Sequence, residues 1–177
     1  QSDIAAGTCC IGFAVCNLRC INKVGLITEA GLPAVADPGS QLVKLCHRHN
    51  IEVVPCSGPS SLMLALMGSG LNGQSFAFLG YIPAKTDERR QALKSIEKHS
   101  ASAHQTKIMI ETPYRNDSLF ADILNVCQGS TELCVAADIT MPDAYIMTKT
   151  VAEWKRYVAG KESIIGKRPC VFLILAH

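Results

Sequence analysis

The sequence lacks the features that mark membrane and secreted proteins. No apolar run approaches the roughly 20 residues that a helix needs to span a bilayer. The first residues carry no positively charged region of the kind that opens a signal peptide. The nine cysteines are an odd number, which favours a reducing environment over a disulfide framework. We therefore expect a cytoplasmic protein that has no membrane partner.

Several motifs of nucleotide, hydrolase and metal chemistry are also missing. The chain contains no Walker loop, no G-x-G-x-x-G and no G-x-S-x-G, so the standard nucleotide cradles and the serine-nucleophile turn are not predicted. His47 and His49 share a predicted helix, but residues two positions apart do not face each other. Four clustered cysteines lack paired C-x-x-C spacing and have no histidine nearby (Cys9, Cys10, Cys16 and Cys20). We therefore expect no metal site.

The charge and composition favour a folded, nearly neutral domain. The net charge of +2 does not indicate nucleic-acid binding by a generally basic surface, although it leaves room for a local Lys/Arg patch. Apolar residues make up 48% of the chain, which predicts a packed core. Five cysteines lie inside apolar stretches and are predicted to be core residues (Cys46, Cys56, Cys127, Cys134 and Cys170).

After residue 22 the pattern alternates between strands and helices. Strands are predicted at 24–27, 51–54, 75–79, 107–110, 132–137, 145–149 and 170–175, and helices at 40–50, 59–68, 86–99, 117–127 and 151–158, with Ser40 as a helix N-cap. This alternation predicts an α/β fold whose sheet is at least partly parallel. The Gly-rich stretch 68–73 predicts a boundary between an N-terminal domain, 1–72, and a C-terminal domain, 73–177; residues 1–22 have no clean period and stay unassigned.

Four polar loops follow the ends of predicted strands, where open α/β sheets place ligands. They are residues 29–39, 57–61, 111–116 and 138–140. Two of these loops and one predicted helix segment also have a structural interpretation. Residues 57–61 fit the capped start of a helix, Glu111 and Arg115 fit an internal ion pair, and Glu88, Arg89 and Arg90 fit a solvated helix face.

These loops, in this order, resemble the tetrapyrrole methylase family, the class III S-adenosylmethionine-dependent methyltransferases. The most similar branch is the small-subunit ribosomal RNA cytidine 2′-O-methyltransferases and their uncharacterised paralogues. That branch has S-D-A-G-T-P-A-I-S-D-P-G where this chain has residues 28–39, P-G-P-S-A at 57–61 and E-S-P-H-R at 111–115. Its patterns S-G-L, F-x-F-x-G-F/Y-x-P and K-x-x-x-R-R recur at 69–71, 76–83 and 85–90.

The resemblance implies a fold of two α/β domains that bind S-adenosylmethionine, and a homodimer. The implied donor contacts are Glu29, Ala30, Gly31, Pro33, Ser57, Gly58, Ser60, Glu111, Thr112, Pro113, Ala137 and Asp138. Catalytic help is expected from Glu29 or Glu111, either in removing a proton from a hydroxyl acceptor or in orienting the donor. Arg89, Arg90 and Arg115 are expected to contact phosphates of an RNA substrate.

Two departures from the family pattern keep other functions open. The family opens with a strand and a P-I-G-N loop that this chain lacks, so we expect the first domain to be incomplete. The ribosomal branch has E-L-T-K where this chain has residues 138–141, which removes a lysine. The alternatives are methylation of a tetrapyrrole or other small molecule, against which the absence of a G-G-D-P motif counts, and a truncated, non-catalytic module.

Overall fold

A five-stranded mixed sheet forms the centre of residues 61–177. The computed structural model describes residues 24–28, 31–161 and 163–177, which divide into two units, 1–60 and 61–177. The first unit contains helix α1 (Ser40–Arg48). The second contains α2 (Ser61–Ser69), β1 (Phe76–Tyr81), α3 (Thr86–Ala103), β2 (Thr106–Ile110), a 3-10 turn (Pro113–Arg115), α4 (Asn116–Val126), β3 (Glu132–Ala137), β4 (Tyr145–Thr150), α5 (Val151–Val158) and β5 (Cys170–Leu175).

The strands lie in the order β1-β2-β5-β3-β4. β1 and β2 are parallel, whereas β5 runs antiparallel to both of its neighbours, β2 and β3, and β4 is antiparallel to β3. Every residue of β5 is buried, as expected for a central strand with both faces covered. The predicted α/β class and the partly parallel sheet are confirmed.

Two apolar clusters cover the two faces of this sheet. On one face, α3, α4 and α5 pack around Trp154, whose indole N–H donates to the carbonyl of Leu133 at 2.7 Å. On the other face, Ala65 and Leu66 of α2 pack against the sheet. α2 therefore belongs to the second unit by its contacts, although the boundary predicted from the glycines follows it in the chain.

Local sequence signals set the bounds of several elements. α5 begins with a capping box, in which Thr150 accepts from the Glu153 N–H and the Glu153 carboxylate accepts from the Thr150 N–H. The predicted bounds of β3, α5 and β5 agree with the structure. The N-cap of α1 is Gly39 rather than Ser40, so that prediction is wrong by one residue. None of the helices in the described ranges is long and apolar enough to cross a membrane.

The two strands predicted in the first unit, 24–27 and 51–54, are wrong. Both stretches lack regular secondary structure, and Ile27 and Val54 are largely exposed. A strand is stabilised by the neighbour with which it shares hydrogen bonds, and none of the described residues pairs with either stretch. An apolar run alone cannot reveal whether such a neighbour exists.

A buried ion-pair group joins α3 to α4. The Arg89 guanidinium donates to Asp122 Oδ2 (Nε at 2.7 Å) and to the Ala84 carbonyl, while Arg90 Nε donates to Asp122 Oδ1 at 2.7 Å. Burial alone would raise the pKa of Asp122, but the hydrogen bonds and charges of Arg90 and Arg89 outweigh it and hold this pKa below its usual value. The Arg89 side chain is 5% exposed and that of Arg90 is 47% exposed, so neighbouring arginines have different environments.

These two arginines give a matched pair for a stability test. Arg89→Ala takes the enclosed donor away from the buried Asp122 carboxylate, so we expect it to lower the free energy of unfolding by about 3 kcal/mol or more. Arg90→Ala removes a half-exposed partner and should cost about 1 kcal/mol or less. Urea unfolding followed by circular dichroism measures both. If both variants lost the same free energy of unfolding, the different environments assigned to Arg89 and Arg90 would be wrong.

Cysteine reactivity tests the packing. Cys127 and Cys170 are buried, and burial is the main cause that raises the pKa of each thiol to about 12. Cys56 is exposed, contrary to the core position predicted for it. In the folded protein at mildly alkaline pH, we expect a maleimide to label Cys56 long before Cys127 or Cys170, because the buried thiols are inaccessible and protonated.

Peptide mapping by mass spectrometry reads out each site separately, and labelling in concentrated urea is the control in which all three should react. Labelling of Cys127 in the folded protein at the rate of Cys56 would show that the core is open.

Candidate functional site

The ends of β2 and β3 meet at one edge of the sheet. Because β5 runs antiparallel between them, these two strands point in the same direction. Ile110 pairs with Val171 and Ala137 pairs with Cys170, so the loops that begin at Glu111 and Asp138 leave the sheet side by side. We call this place the carboxyl edge: the loops 111–116 and 138–144 and the segment 166–169 that leads into β5.

Glu111 is the most constrained polar group at the carboxyl edge. Its side chain is fully buried, and its Oε1 atom accepts from the Thr112 N–H at 2.7 Å and from Arg115 Nε and Nη2 at 3.0 and 2.7 Å. The internal ion pair that the sequence allowed is therefore present. The hydrogen bond that Arg115 donates to Glu111 is the main cause that raises the pKa of Arg115 above its usual value. Within the described ranges, the buried Oε2 atom has no hydrogen-bond partner.

An acceptor of this kind is costly to bury without a donor, so Oε2 is the natural place for a ligand or a water molecule to bond. The two carboxylate oxygens thus differ: Oε1 holds the loop, whereas Oε2 has no hydrogen-bond partner among the described residues.

Asn116 ties the loop after β2 to the segment before β5. It is completely buried, and its Nδ2 atom donates to the carbonyl of Arg168 at 2.7 Å and, more weakly, to that of Gly166 at 3.4 Å. The Asp138 N–H donates to the Pro169 carbonyl at 3.0 Å, so the loop that begins at Asp138 is joined to the segment 166–169 as well. The sequence placed Asn116 in a polar loop but could not reveal this role, since its partners lie far along the chain.

The predicted donor loops contain most of the unusual backbone conformations. Six non-glycine residues among those described have positive φ, and four of them lie in these loops: Ala34 (64°), Ala36 (56°), Asp138 (49°) and Thr140 (75°). Such conformations are unfavourable for residues that carry a Cβ atom and cluster at functional sites. These backbone angles are an observation separate from the sequence motifs, and both single out the same loops.

The two polar loops of the first unit approach each other. A Cβ atom at Gly58 would lie 3.5 Å from Leu32 Cδ2, so the second loop contacts the first. Gly39 has a φ of 138°, and a Cβ atom there would lie 2.7 Å from Leu26, which explains glycine at the start of α1. The predicted contacts Gly31, Pro33, Ser57, Gly58 and Ser60 lie in this unit, whereas Glu29 and Ala30 lie outside the described residues.

The remaining predicted residues are distributed as follows. Thr112, Pro113 and Ala137 belong to the carboxyl edge together with Glu111 and Asp138. The Arg115 side chain is 39% exposed beside Glu111, and Arg168 lies 3.7 Å from Asp138. Arg89 is enclosed between α3 and α4, as described above, so only Arg90 and Arg115 of the three predicted arginines present substantial surface.

A hollow of about 320 Å³ opens at the opposite edge of the sheet, and none of the predicted site residues lines it. The carboxylate of Glu97 in this hollow accepts from the Gln128 N–H at 2.8 Å and from the Thr131 hydroxyl. These bonds tie α3 to the turn before β3, which is a structural role.

Comparison with known proteins identifies relatives of the chain. No protein-family model matches it. It is 35% identical over 141 residues to the ribosomal RNA small subunit methyltransferase I of Vibrio cholerae, which covers 80% of this chain and 48% of the relative. The proteins of the same name from Pseudomonas aeruginosa and Thermotoga maritima are 32% and 37% identical, over 92% and 67% of this chain and 56% and 50% of their own lengths. The chain thus spans about half the length of the curated relatives it matches.

Solved structures of methyltransferases have a similar fold. A cobalt precorrin-4 methyltransferase aligns with a TM-score of 0.57 at 17% identity, over 94% of this chain and 69% of that one. The uroporphyrin-III C-methyl transferase of Thermus thermophilus, solved in complex with S-adenosylhomocysteine, gives 0.52 at 17% identity, over 93% and 71%. The resemblance inferred from the motifs is therefore confirmed: this chain is related in sequence to the ribosomal RNA small subunit methyltransferase I proteins and has the α/β fold of the class III methyltransferases.

Proposed function

We propose that this protein is an S-adenosylmethionine-dependent methyltransferase whose acceptor is a ribose hydroxyl of ribosomal RNA. The observation that carries the proposal is the sequence relationship to proteins named for ribosomal RNA methylation. The carboxyl edge supports it, because it combines neighbouring loops, a buried carboxylate whose Oε2 atom has no partner among the described residues, and an unusual backbone at Asp138 and Thr140. A cytoplasmic location and a homodimer are parts of the same proposal and rest on the family resemblance.

S-adenosylmethionine would supply an electrophilic methyl group on its sulfonium. The protein's own contribution to such an in-line displacement is to align the reactants and exclude water. At the carboxyl edge, Thr112, Pro113 and Asp138 offer short side chains and main-chain groups that a ligand can approach, whereas Glu111 and Ala137 are buried. The donor contacts predicted in the first unit remain part of the proposal.

Glu111 fits a positioning role better than that of a proton acceptor. Its Oε1 atom already accepts three hydrogen bonds, two of them from the Arg115 guanidinium. This arrangement fixes the orientation of the carboxylate. The remaining oxygen is suited to accept a hydrogen bond from a ligand hydroxyl. We therefore assign to Glu111 the task of orienting the methyl donor.

The exposed cations suit an RNA acceptor. Arg90 and Arg115 keep part of their side chains accessible while one end of each is fixed by a carboxylate. Arginines held in this manner lose little further freedom when they bind a phosphate. Arg89 acts in the proposal only by holding Asp122, which in turn holds Arg90.

Glu111→Gln tests the donor-binding role. The substitution keeps the volume of the side chain and one oxygen, but it replaces the second acceptor by a donor. We expect the affinity for S-adenosylhomocysteine, measured by calorimetry, to fall about tenfold to a hundredfold, as for a hydrogen bond to a charged group. Glu132→Gln changes a carboxylate at the opposite edge of the same sheet and should leave that affinity unchanged.

Transfer of labelled methyl groups to small ribosomal subunits that lack the modification completes this test. An unchanged donor affinity with a lower maximal rate and a shifted pH profile would instead assign proton removal to Glu111. If Glu111→Gln kept the donor affinity and the maximal transfer rate of the unmodified protein, Glu111 would have no role in the site. Failure of the unmodified protein to bind S-adenosylhomocysteine would overturn the proposed function itself.

A further inference from the structure

We propose that Tyr114, together with Lys167, forms a stacking platform for an unpaired base of the RNA substrate at the carboxyl edge. This inference rests on the proposed function and deepens it, since it names how the acceptor strand is held. Neither residue was among the predicted substrate contacts. The partner to which we commit is a single-stranded RNA segment.

Tyr114 is a large aromatic side chain left in the open. It is 81% exposed, although it lies in the short turn between the buried Glu111 and the buried Asn116. The turn itself is fixed. Its first residue, Pro113, has a restricted φ angle, and the Arg115 N–H donates to the Thr112 carbonyl at 2.9 Å. The ring is therefore presented to solvent by a rigid segment rather than by a loose one.

Lys167 gives this ring a positive neighbour. Its Nζ atom lies 5.3 Å from the centre of the Tyr114 ring, which is within cation–π range. Lys85, Arg90, Arg115 and Arg168 each face a carboxylate within 4 Å. Across the ranges that the structure describes, no carboxylate lies that close to Lys167, so its charge is not neutralised by an ion pair there.

The segment that carries Lys167 is held as firmly as the turn that carries Tyr114. Asn116 binds the carbonyls on both sides of Lys167, those of Gly166 and Arg168. The Arg168 guanidinium donates to the carbonyls of Ile165 and Ile164, each at 2.7 Å. One buried side chain therefore sets the spacing between the two backbone segments that carry Tyr114 and Lys167.

A flat exposed ring beside a lysine ammonium matches the chemistry of single-stranded RNA. Unstacked bases bind to aromatic faces whatever their sequence, and the adjacent phosphates attract Lys and Arg. A duplex offers no free base face, so it should gain little from this ring. The nearby Arg115 is paired with Glu111 but keeps 39% of its side chain exposed, so it can donate to a phosphate of a backbone that continues past the stacked base.

The test measures binding of the purified protein to a short fluorescein-labelled single-stranded RNA of mixed sequence and to the duplex of the same sequence. We expect Tyr114→Ala and Tyr114→Leu to weaken binding of the single strand by about fivefold to a hundredfold, the range found for loss of one stacked base. Tyr114→Phe should bind as the unmodified protein does, because it keeps the ring. Binding of the duplex should be unaffected by all three.

Lys167→Ala should weaken binding to both RNAs and reduce the slope of log affinity against log salt by about 1. Lys155→Ala makes the same charge change at an exposed position of α5 and is the matched control, with no expected change in either quantity.

Calorimetry with S-adenosylhomocysteine separates this inference from the proposed function. The expected result is that Tyr114→Ala binds S-adenosylhomocysteine like the unmodified protein. Single-strand affinity retained by Tyr114→Ala and Tyr114→Leu would overturn the platform, as would a protein that binds S-adenosylhomocysteine but no RNA. Loss of S-adenosylhomocysteine binding in Tyr114→Ala would place the ring in the donor site instead.

Discussion

The direction of one buried strand determines where the chemistry of this protein can lie. β5 runs antiparallel between β2 and β3, and it is apolar and buried along its whole length. Its neighbours must therefore end at the same edge of the sheet, although about 20 residues of helix and turn separate them along the chain. Burial of β5 between two helical layers fixes its register, since a slip of one residue would turn Phe172 and Ile174 toward the wrong cluster.

Everything that we assign to the carboxyl edge follows from that register. Glu111 and Asp138 leave the sheet as neighbours, and the segment that enters β5 passes between them. Asn116 then connects this segment to the start of α4 through two main-chain carbonyls. The result is a rigid rim that carries a buried carboxylate oxygen, an exposed aromatic ring and several cations. The same rim contains the positive-φ residues Asp138 and Thr140, so the unusual backbone and the proposed donor site coincide.

The sequence predicted the second unit well because its signals are local. A continuous apolar run marks β5, and a capping box marks the start of α5. The strands predicted at 24–27 and 51–54 failed because a strand depends on a partner that its own residues do not specify. Arg89 and Arg90 are chemically identical neighbours, so only packing against α4 could distinguish the enclosed side chain from the accessible one. Asn116 and Lys167 were missed for a related reason: each acts through residues that are distant in the chain. The motifs identified the loops, but the three-dimensional arrangement distinguishes the side chains within them.

Amide hydrogen exchange with and without S-adenosylhomocysteine tests whether the ligand binds where β2 and β3 end. We expect slower exchange in residues 111–116 and 137–140 when the ligand is present, and no change in residues 128–131 at the opposite edge. Protection confined to residues 128–131, or saturated binding that leaves the carboxyl edge unprotected, would contradict it.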